Sequence, residues 1–423
     1  MISDEALLTV LRKPRRVALT GDLIRGGIGL AMACTLFFTL AYYGAVGQLM
    51  YNHLHMNDFG KFYYSAQLFL NGQDMYGPSP ATGIPVGKNE IRQFLNMNPP
   101  HFHLLILPLA LLSPLWAISI WLLVSVVALV AAARAIARAL DWHWTPARVA
   151  WVVFAVVVCS ATAANVITGQ LTFVMMLPIT LAWIAARRGD WSKASVLLGI
   201  AASIKPFLGV FWVYLLVTRE WRPLLLMTVA GALCVLAGVI VFGPGAYESW
   251  RGALSAVEWW WPPMNGSVTG FLGRSLSVNP IYVPAMDAPG LIRPAALLLS
   301  AAAVVGLVLS LARNRSVDLT FAGLLLTAQL ISPLGWVYYL WFAAGPLVAL
   351  WWSNHQRVKP SGKLFLALAL PGLVCPLTYV VMWKGALATV TLGSIYWWST
   401  LFLWAAVLVG FEKPATVSTR PAR

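Results

Sequence analysis

Two ionisable residues stand out because the surrounding sequence makes a charge costly at each. Asp58 lies in MYNHLHMNDFGKFYYSAQLFLNG, residues 50–72, the first polar passage after the first membrane-length apolar run. A carboxylate at the lip of a bilayer can take a proton from a hydroxyl, which makes it a candidate general base for chemistry on a lipid-borne substrate. Lys205 lies between IAAS and PFLGVF, and an ammonium at bilayer depth needs an anion or water. Pro206 suits the first position of a new helix, whose amides would point at the same place. Together they read as a phosphate cradle. Each residue also has an ordinary reading: Asp58 caps a helix that Gly72 ends, and Lys205 snorkels to headgroups beside a proline kink.

Weaker candidates surround this pair. Arg274, in NGSVTGFLGR, can pair with a phosphate oxygen or with a carboxylate such as Glu258. His53 and His55, five and three residues before Asp58, form a short HxH spacing, as do His101 and His103. A metal at His53, His55 and Asp58 is an alternative, but no fourth ligand is evident. Trp259, Trp260 and Trp261 suit an aromatic belt better than a sugar-stacking platform, and Tyr338 and Tyr339 carry the same ambiguity.

The elements that must position these groups are membrane helices. Of 423 residues, 60% are hydrophobic and 10% charged, a balance outside that of soluble globular domains. Apolar runs long enough to cross a hydrocarbon core recur from end to end, whereas a β-barrel would show short alternating segments. The formal charge of +15 sits in short clusters between apolar runs, as topology determinants do, which argues against nucleic-acid binding. Cys34, Cys159, Cys234 and Cys375 fall inside apolar runs without CxxC spacing and read as buried structural thiols. The basic N-terminus precedes an apolar run that lacks a small-residue cleavage site, so it reads as a retained anchor.

Spans are expected near 26–48, 103–139, 148–165, 170–187, 194–204 with 206–217, 223–243, 291–312, 318–333, 334–352, 363–383 and 389–410, about 12 transmembrane or half-spanning helices in all. The segment 194–217 decides the topology, because a single span would flip every later loop. Broken at Lys205-Pro206, it leaves only Lys61, Lys88, Arg92, Lys205, Arg251, Arg274, Arg293 and Lys384 on one side and all other cations on the other. By the positive-inside rule both termini are then cytoplasmic. This gives a cytoplasmic segment 1–25, a transmembrane domain 26–410 with extracytoplasmic loops near 49–102 and 244–290, and a cytoplasmic tail 411–423. From Asp58 onward, Phe59, Phe62, Tyr63, Ala66, Phe69 and Leu70 recur at helical spacing and predict an amphipathic helix lying on the membrane surface. The unusual polar motifs all fall on the extracytoplasmic side, which suggests a shared site.

DFGKFYYSAQLFLNGQDMYG, the NPP at 98–100, the GQ at 169–170, the KP at 205–206, NGSVTGFLGR and SPLGWVYY occur in an order that resembles glycosyltransferase family 87, the GT-C-fold enzymes that include polyprenyl-phosphate-mannose-dependent mannosyltransferases. The chain departs from the pattern at Val337-Tyr338-Tyr339, where a His before the last Tyr would be expected. The resemblance implies an all-α GT-C fold in a bacterial cytoplasmic membrane and an inverting transfer of a sugar, mannose by weight of the family, from a polyprenyl-phosphate donor to an acceptor hydroxyl of a glycolipid or glycan at the extracytoplasmic face. It implies Asp58 as the base. Lys205 and Arg274 would then hold the donor phosphate without a metal cofactor, and Asn98, Gln170, Asn265, Trp336 and Tyr338 would meet the sugar or the acceptor. A transporter or flippase for a polyprenyl-linked lipid or polysaccharide is the alternative, and other GT-C activities, such as polymer ligation, share the fold.

Overall fold

The computed structural model describes residues 57–85, 91–354 and 358–411, with scattered helical positions between 32 and 44. His53, His55, Cys34, segment 1–25, most of the expected first span and residues 412–423 lie outside the described residues.

Helix α1, Asn57–Leu70, is followed by a small antiparallel ribbon of β1, Gly83–Pro85, and β2, Ile91–Gln93. A 3₁₀ segment, Pro100–Leu105, then leads toward α2, Pro114–Ala139. The span expected at 103–139 therefore starts later, because Pro114 opens a new helix at its first position. Next come α3, Pro146–Val158, and α4, Ser160–Thr168, bent by 62° where one straight span was expected. Helix α5 covers Thr172–Arg187 and α6 covers Trp191–Ile204. A 3₁₀ turn, Pro206–Gly209, separates α6 from α7, Val210–Val217. Beyond these lie α8, Trp221–Phe242, α9, Pro244–Ser255, α10, Val268–Leu276, and α11, Ile292–Arg313. The chain continues through α12, Val317–Ile331, a 3₁₀ segment at Val337–Ala343, α13, Ala344–Asn354, α14, Pro360–Val374, and α15, Ile395–Val409.

Among the described residues, four helical stretches are long and apolar enough to cross a membrane: α2, α8, 289–313 and 386–409. The bent α3–α4 pair counts as a fifth if taken as one span. The protein is thus a helical membrane protein. Polar caps start several helices: Asp190 accepts from Lys193 N at 2.9 Å, and Ser267 and Ser316 act likewise for α10 and α12.

The break expected at Lys205-Pro206 is present. Lys205 is extended, and proline cannot continue the ladder. The chain then doubles back, since the Trp191 ring at the start of α6 lies 5.8 Å from Tyr214 near the end of α7. Lys205 therefore sits at the tip of a helical hairpin. Helix α6 is braced against α8 by small residues: a Cβ on Gly199 would strike the Met227 carbonyl, and Gly231 faces Gly199. At the far end of the bundle from Lys205, Arg187 pairs with Asp318 at 3.2 Å, and Arg138, Asp141, Arg187 and Arg188 share one hollow. Several cations of the numerous side thus gather together.

Helix α1 differs from expectation. Phe59, Phe62, Tyr63 and Ala66 are 0–1% exposed, with Phe59 against Trp121 and Phe62 edge-on to Phe102. Lys61 and Ser65, off that face, are buried too. Amphipathic spacing marks an apolar face without saying whether lipid or protein covers it. Here protein does.

Candidate active site

Two residues in left-handed backbone fix Asp58. Asn57 has φ 46° and its side chain donates to Ile167 O at 2.9 Å, which ties the start of α1 to the end of α4. Gly169 ends α4 at φ 64°, and a Cβ there would lie 2.7 Å from Phe59 Cβ. Only glycine permits that approach at that dihedral. The Trp121 indole donates to Gly169 O at 2.8 Å and locks the turn from behind. The close approach delivers the next residue, Gln170, to Asp58: its amide donates to Asp58 Oδ2 at 2.7 Å.

The other carboxylate oxygen is held by Lys61, whose Nζ lies 2.8 Å from Oδ1. Burial alone would raise the Asp58 pKa, but the Lys61 charge and hydrogen bond, the Gln170 bond and the Lys205 charge outweigh it and hold the carboxyl below its usual value of 3.8. The carboxylate stays ionised and can accept a proton.

Lys205 reaches the same place from the hairpin tip. Its Nζ donates to Asn98 Oδ1 at 2.9 Å and lies over the Tyr339 ring at 5.5 Å. Asn98 is itself held, because its N–H groups donate to Asn96 Oδ1 and its carbonyl accepts from Tyr76 OH at 2.6 Å. The Asn96 amide in turn donates to Ser65 Oγ and His103 Nε2. This assigns His103 the tautomer that donates from Nδ1 to Pro99 O. The helix-start amides expected beside Lys205 are partly spent, since Leu208 N donates to Lys205 O.

Asn57, Asp58, Lys61, Asn98, Gln170, Lys205, Trp336 and Tyr338 all line one cavity of about 2020 Å³. From this polar head the cavity runs between α7, α11 and α12, past Val210, Val213, Ala296, Leu297, Val304, Val308 and Leu324, to Thr218, Glu220 and Arg315. Helix α11, with 22 residues, is ~33 Å long at 1.5 Å per residue, so the apolar length of the cavity is on the scale of a bilayer. Trp259 and Trp260 line it as well.

Two expected site residues lie elsewhere. Arg274 is 0% exposed and outside the cavity lining. Its guanidinium donates to Ser394 Oγ, Pro262 O and Asn265 O, its Nη2 is left without a hydrogen-bond partner, and no carboxylate pairs with it among the described residues. Asn265 is also 0% exposed. Its amide donates to Trp260 O and Pro333 O, while Oδ1 accepts from Ser267 N and Gly335 N. With both donors and both acceptor positions engaged, Asn265 has nothing left for a sugar hydroxyl. Arg274 holds the segment at 259–277 to itself and to Ser394, while Asn265 ties it to the segment carrying Trp336, with which it pairs in an isolated bridge.

None of Lys61, Asn96 and His103 is a predicted site residue for the sugar transfer, and His103 enters the sequence reading only through its HxH spacing. Lys61 had one signal, the i, i+3 spacing from Asp58; the place of the other two in the site shows only through contacts. Among the described residues no three His, Cys, Asp or Glu gather as metal ligands, and the His53–His55 alternative falls outside them.

A half-buried acid, an amide and two lysines at the head of a long apolar cavity in a helical membrane protein form an enzyme-like site open to an amphipathic ligand. Residues 96–333, more than half of the chain, match the family model of glycosyltransferase family 87, and the chain belongs to that family. It is a membrane glycosyltransferase, working with a sugar donor, an acceptor and membrane lipids. No curated protein and no solved structure matches.

Proposed function

We propose that this enzyme transfers a sugar, mannose by the family resemblance, from a polyprenyl-phosphate donor to a hydroxyl of a glycolipid or glycan acceptor, with inversion, at the extracytoplasmic face of a bacterial cytoplasmic membrane. The observation that carries the reading is the shape and charge of the cavity. Its head holds one carboxylate and two ammonium groups, an excess of one positive charge that a phosphodiester would balance. Its remaining length is apolar, as an isoprenoid tail requires.

In this reading the donor phosphate displaces Asn98 as the partner of Lys205, and the sugar lies between Lys205 and Asp58. The acceptor hydroxyl loses its proton to Asp58 as its oxygen bonds the anomeric carbon from the side opposite the phosphate. The bond between that carbon and the phosphate oxygen breaks, and Lys205 stabilises the departing phosphate. Gln170 holds the carboxylate in line. Asn98, Trp336 and Tyr338 are the cavity groups assigned to sugar or acceptor. Because ammonium groups supply the positive charge, the step needs no metal ion, and chelator-treated enzyme should keep its rate.

The test is turnover by the purified protein in lipid nanodiscs with a polyprenyl-phosphate sugar and candidate acceptors. Asp58→Asn should stay folded and inserted yet lose turnover. An active Asn variant discards the base assignment, and movement of the donor across proteoliposomes without a new glycosidic bond favours the transporter alternative.

A further inference from the structure

We propose that Lys61 is a second catalytic cation, which neutralises Asp58 before the reaction and transfers its ion pair to the departing phosphate during it. The proposal rests on the reading of the site as a phosphoryl-linked sugar transferase.

The argument follows the charges. Lys61 has a buried side chain, 10% exposed, with Nζ 2.8 Å from Asp58 Oδ1. It borders the cavity, with Phe94 behind it at 5.9 Å from ring centroid to Nζ. Lys205 makes no ion pair among the described residues: its Nζ donates to Asn98 Oδ1 and lies over the Tyr339 ring, and it acts on Asp58 through charge alone. In the resting site, therefore, Lys61 is paired and Lys205 is free to take a singly charged phosphodiester. During transfer the bond from acceptor oxygen to anomeric carbon forms, the bond from that carbon to the phosphate oxygen breaks, and the acceptor proton moves to Asp58. The carboxylate becomes neutral while the phosphate gains one negative charge. The counterion of Lys61 thus vanishes at the base and reappears on the leaving group, within the polar head of the same cavity. A buried ammonium cannot remain unpaired at low cost. An interaction that strengthens only as the transition state forms is the kind that accelerates the chemical step. A lysine suits the task, because its flexible stem allows the ammonium to follow the charge.

The groups facing the Asp58 carboxylate are Lys61 from its own helix, Gln170 from the turn after α4, Lys205 from the hairpin tip, and Tyr338 and Tyr339 from the 3₁₀ segment. Of these, Lys61 is the nearest cation. Its removal should weaken the acidity of Asp58 as well as the stabilisation of the phosphate.

The experiment is a pH profile of kcat and kcat/KM for wild type, Lys61→Met and Lys61→Arg in nanodiscs, with Asp58→Asn alongside. Lys61→Met keeps the volume beside Phe94 and removes the charge. Its kcat should fall roughly 100-fold, the scale for losing one preorganised donor to a developing anion, and the ascending acid limb of kcat/KM should move to higher pH. Lys61→Arg should restore a large part of kcat and return the limb toward the wild-type position. An acid limb that stays in place in Lys61→Met, with or without a loss of kcat, overturns the proposal, as does a wild-type kcat. If Asp58→Asn is inactive in the same series, the sugar-transferase reading survives that failure; if Asp58→Asn is active, the reading itself fails.

Discussion

Gly169→Ala places one methyl group where the structure has no room for it. The added carbon would sit 2.7 Å from Phe59 Cβ, against the ~3.5–4.0 Å at which carbon atoms rest in contact. Phe59 cannot give way easily, because its ring packs on Trp121 at 5.7 Å and the Trp121 indole holds the Gly169 carbonyl. Alanine at φ 64° adds a backbone cost of ~1–2 kcal/mol. Relief requires α1 and the turn at 169–170 to part by ~1 Å, and that parting separates Asp58 from Gln170. A misplacement of ~1 Å at reacting groups can cost ~10²-fold in rate. The expected outcome is an inserted, slightly destabilised protein whose kcat falls ~100-fold while the KM for donor changes little. Turnover with labelled donor, together with a thermal melt in the same nanodiscs, measures both quantities. A kcat within threefold of wild type would refute the claim that this contact positions the base.

Gln170→Leu removes the 2.7 Å bond to Asp58 Oδ2, so the Asp58 pKa should rise and the acid limb of kcat/KM should move to higher pH in a steady-state profile. Because the Asp58 carboxyl is held below 3.8 in the fold, its contribution to stability is complete above that value and is lost as pH falls through the folded value. The melting temperatures of wild type and Asp58→Asn should therefore differ near neutral pH and converge in acid. Ser300 lines the middle of the cavity on α11; Ser300→Trp should raise the KM for a long-chain polyprenyl donor tenfold or more, while a short-chain donor keeps its KM. Gly199→Leu forces a side chain into the Met227 carbonyl on α8, so the variant should lose several kcal/mol or fail to accumulate, as read by a detergent melt of the purified protein.

Sequence chemistry singles out several residues that the fold brings to one end of the cavity, and says little of the cavity's walls. Asp58 and Lys205 were legible because a charge inside an apolar setting is costly and must have a reason, and the break between α6 and α7 was legible because proline ends a hydrogen-bond ladder. Asn98 and Gln170 also line the cavity. Arg274 and Asn265 draw attention by the same rule, yet Asn265 is satisfied by main-chain carbonyls and amides and Arg274 in large part by main-chain carbonyls and Ser394, and such partners leave no mark in a residue pattern. Lys61 was hidden for the opposite reason. A lysine three residues after an aspartate on a helix looks like an ordinary surface pair, and only the packing of α1 into the protein buries its lysine. The bend at Cys159 goes with contacts that join residues far apart in the chain, such as Ser160 Oγ donating to Gly372 O at 2.6 Å, whereas the late start of α2 is set by Pro114.

The central claim is that the acid of α1 and the lysine of the α6–α7 hairpin act on one phosphate-linked sugar. A density map of the Asp58→Asn protein in nanodiscs with the intact polyprenyl-phosphate-sugar donor tests it most directly. The account expects the phosphate on Lys205 Nζ, the anomeric carbon facing residue 58, and the tail lying between α7 and α11. A phosphate bound outside the cavity head, or a sugar turned away from residue 58, would contradict it.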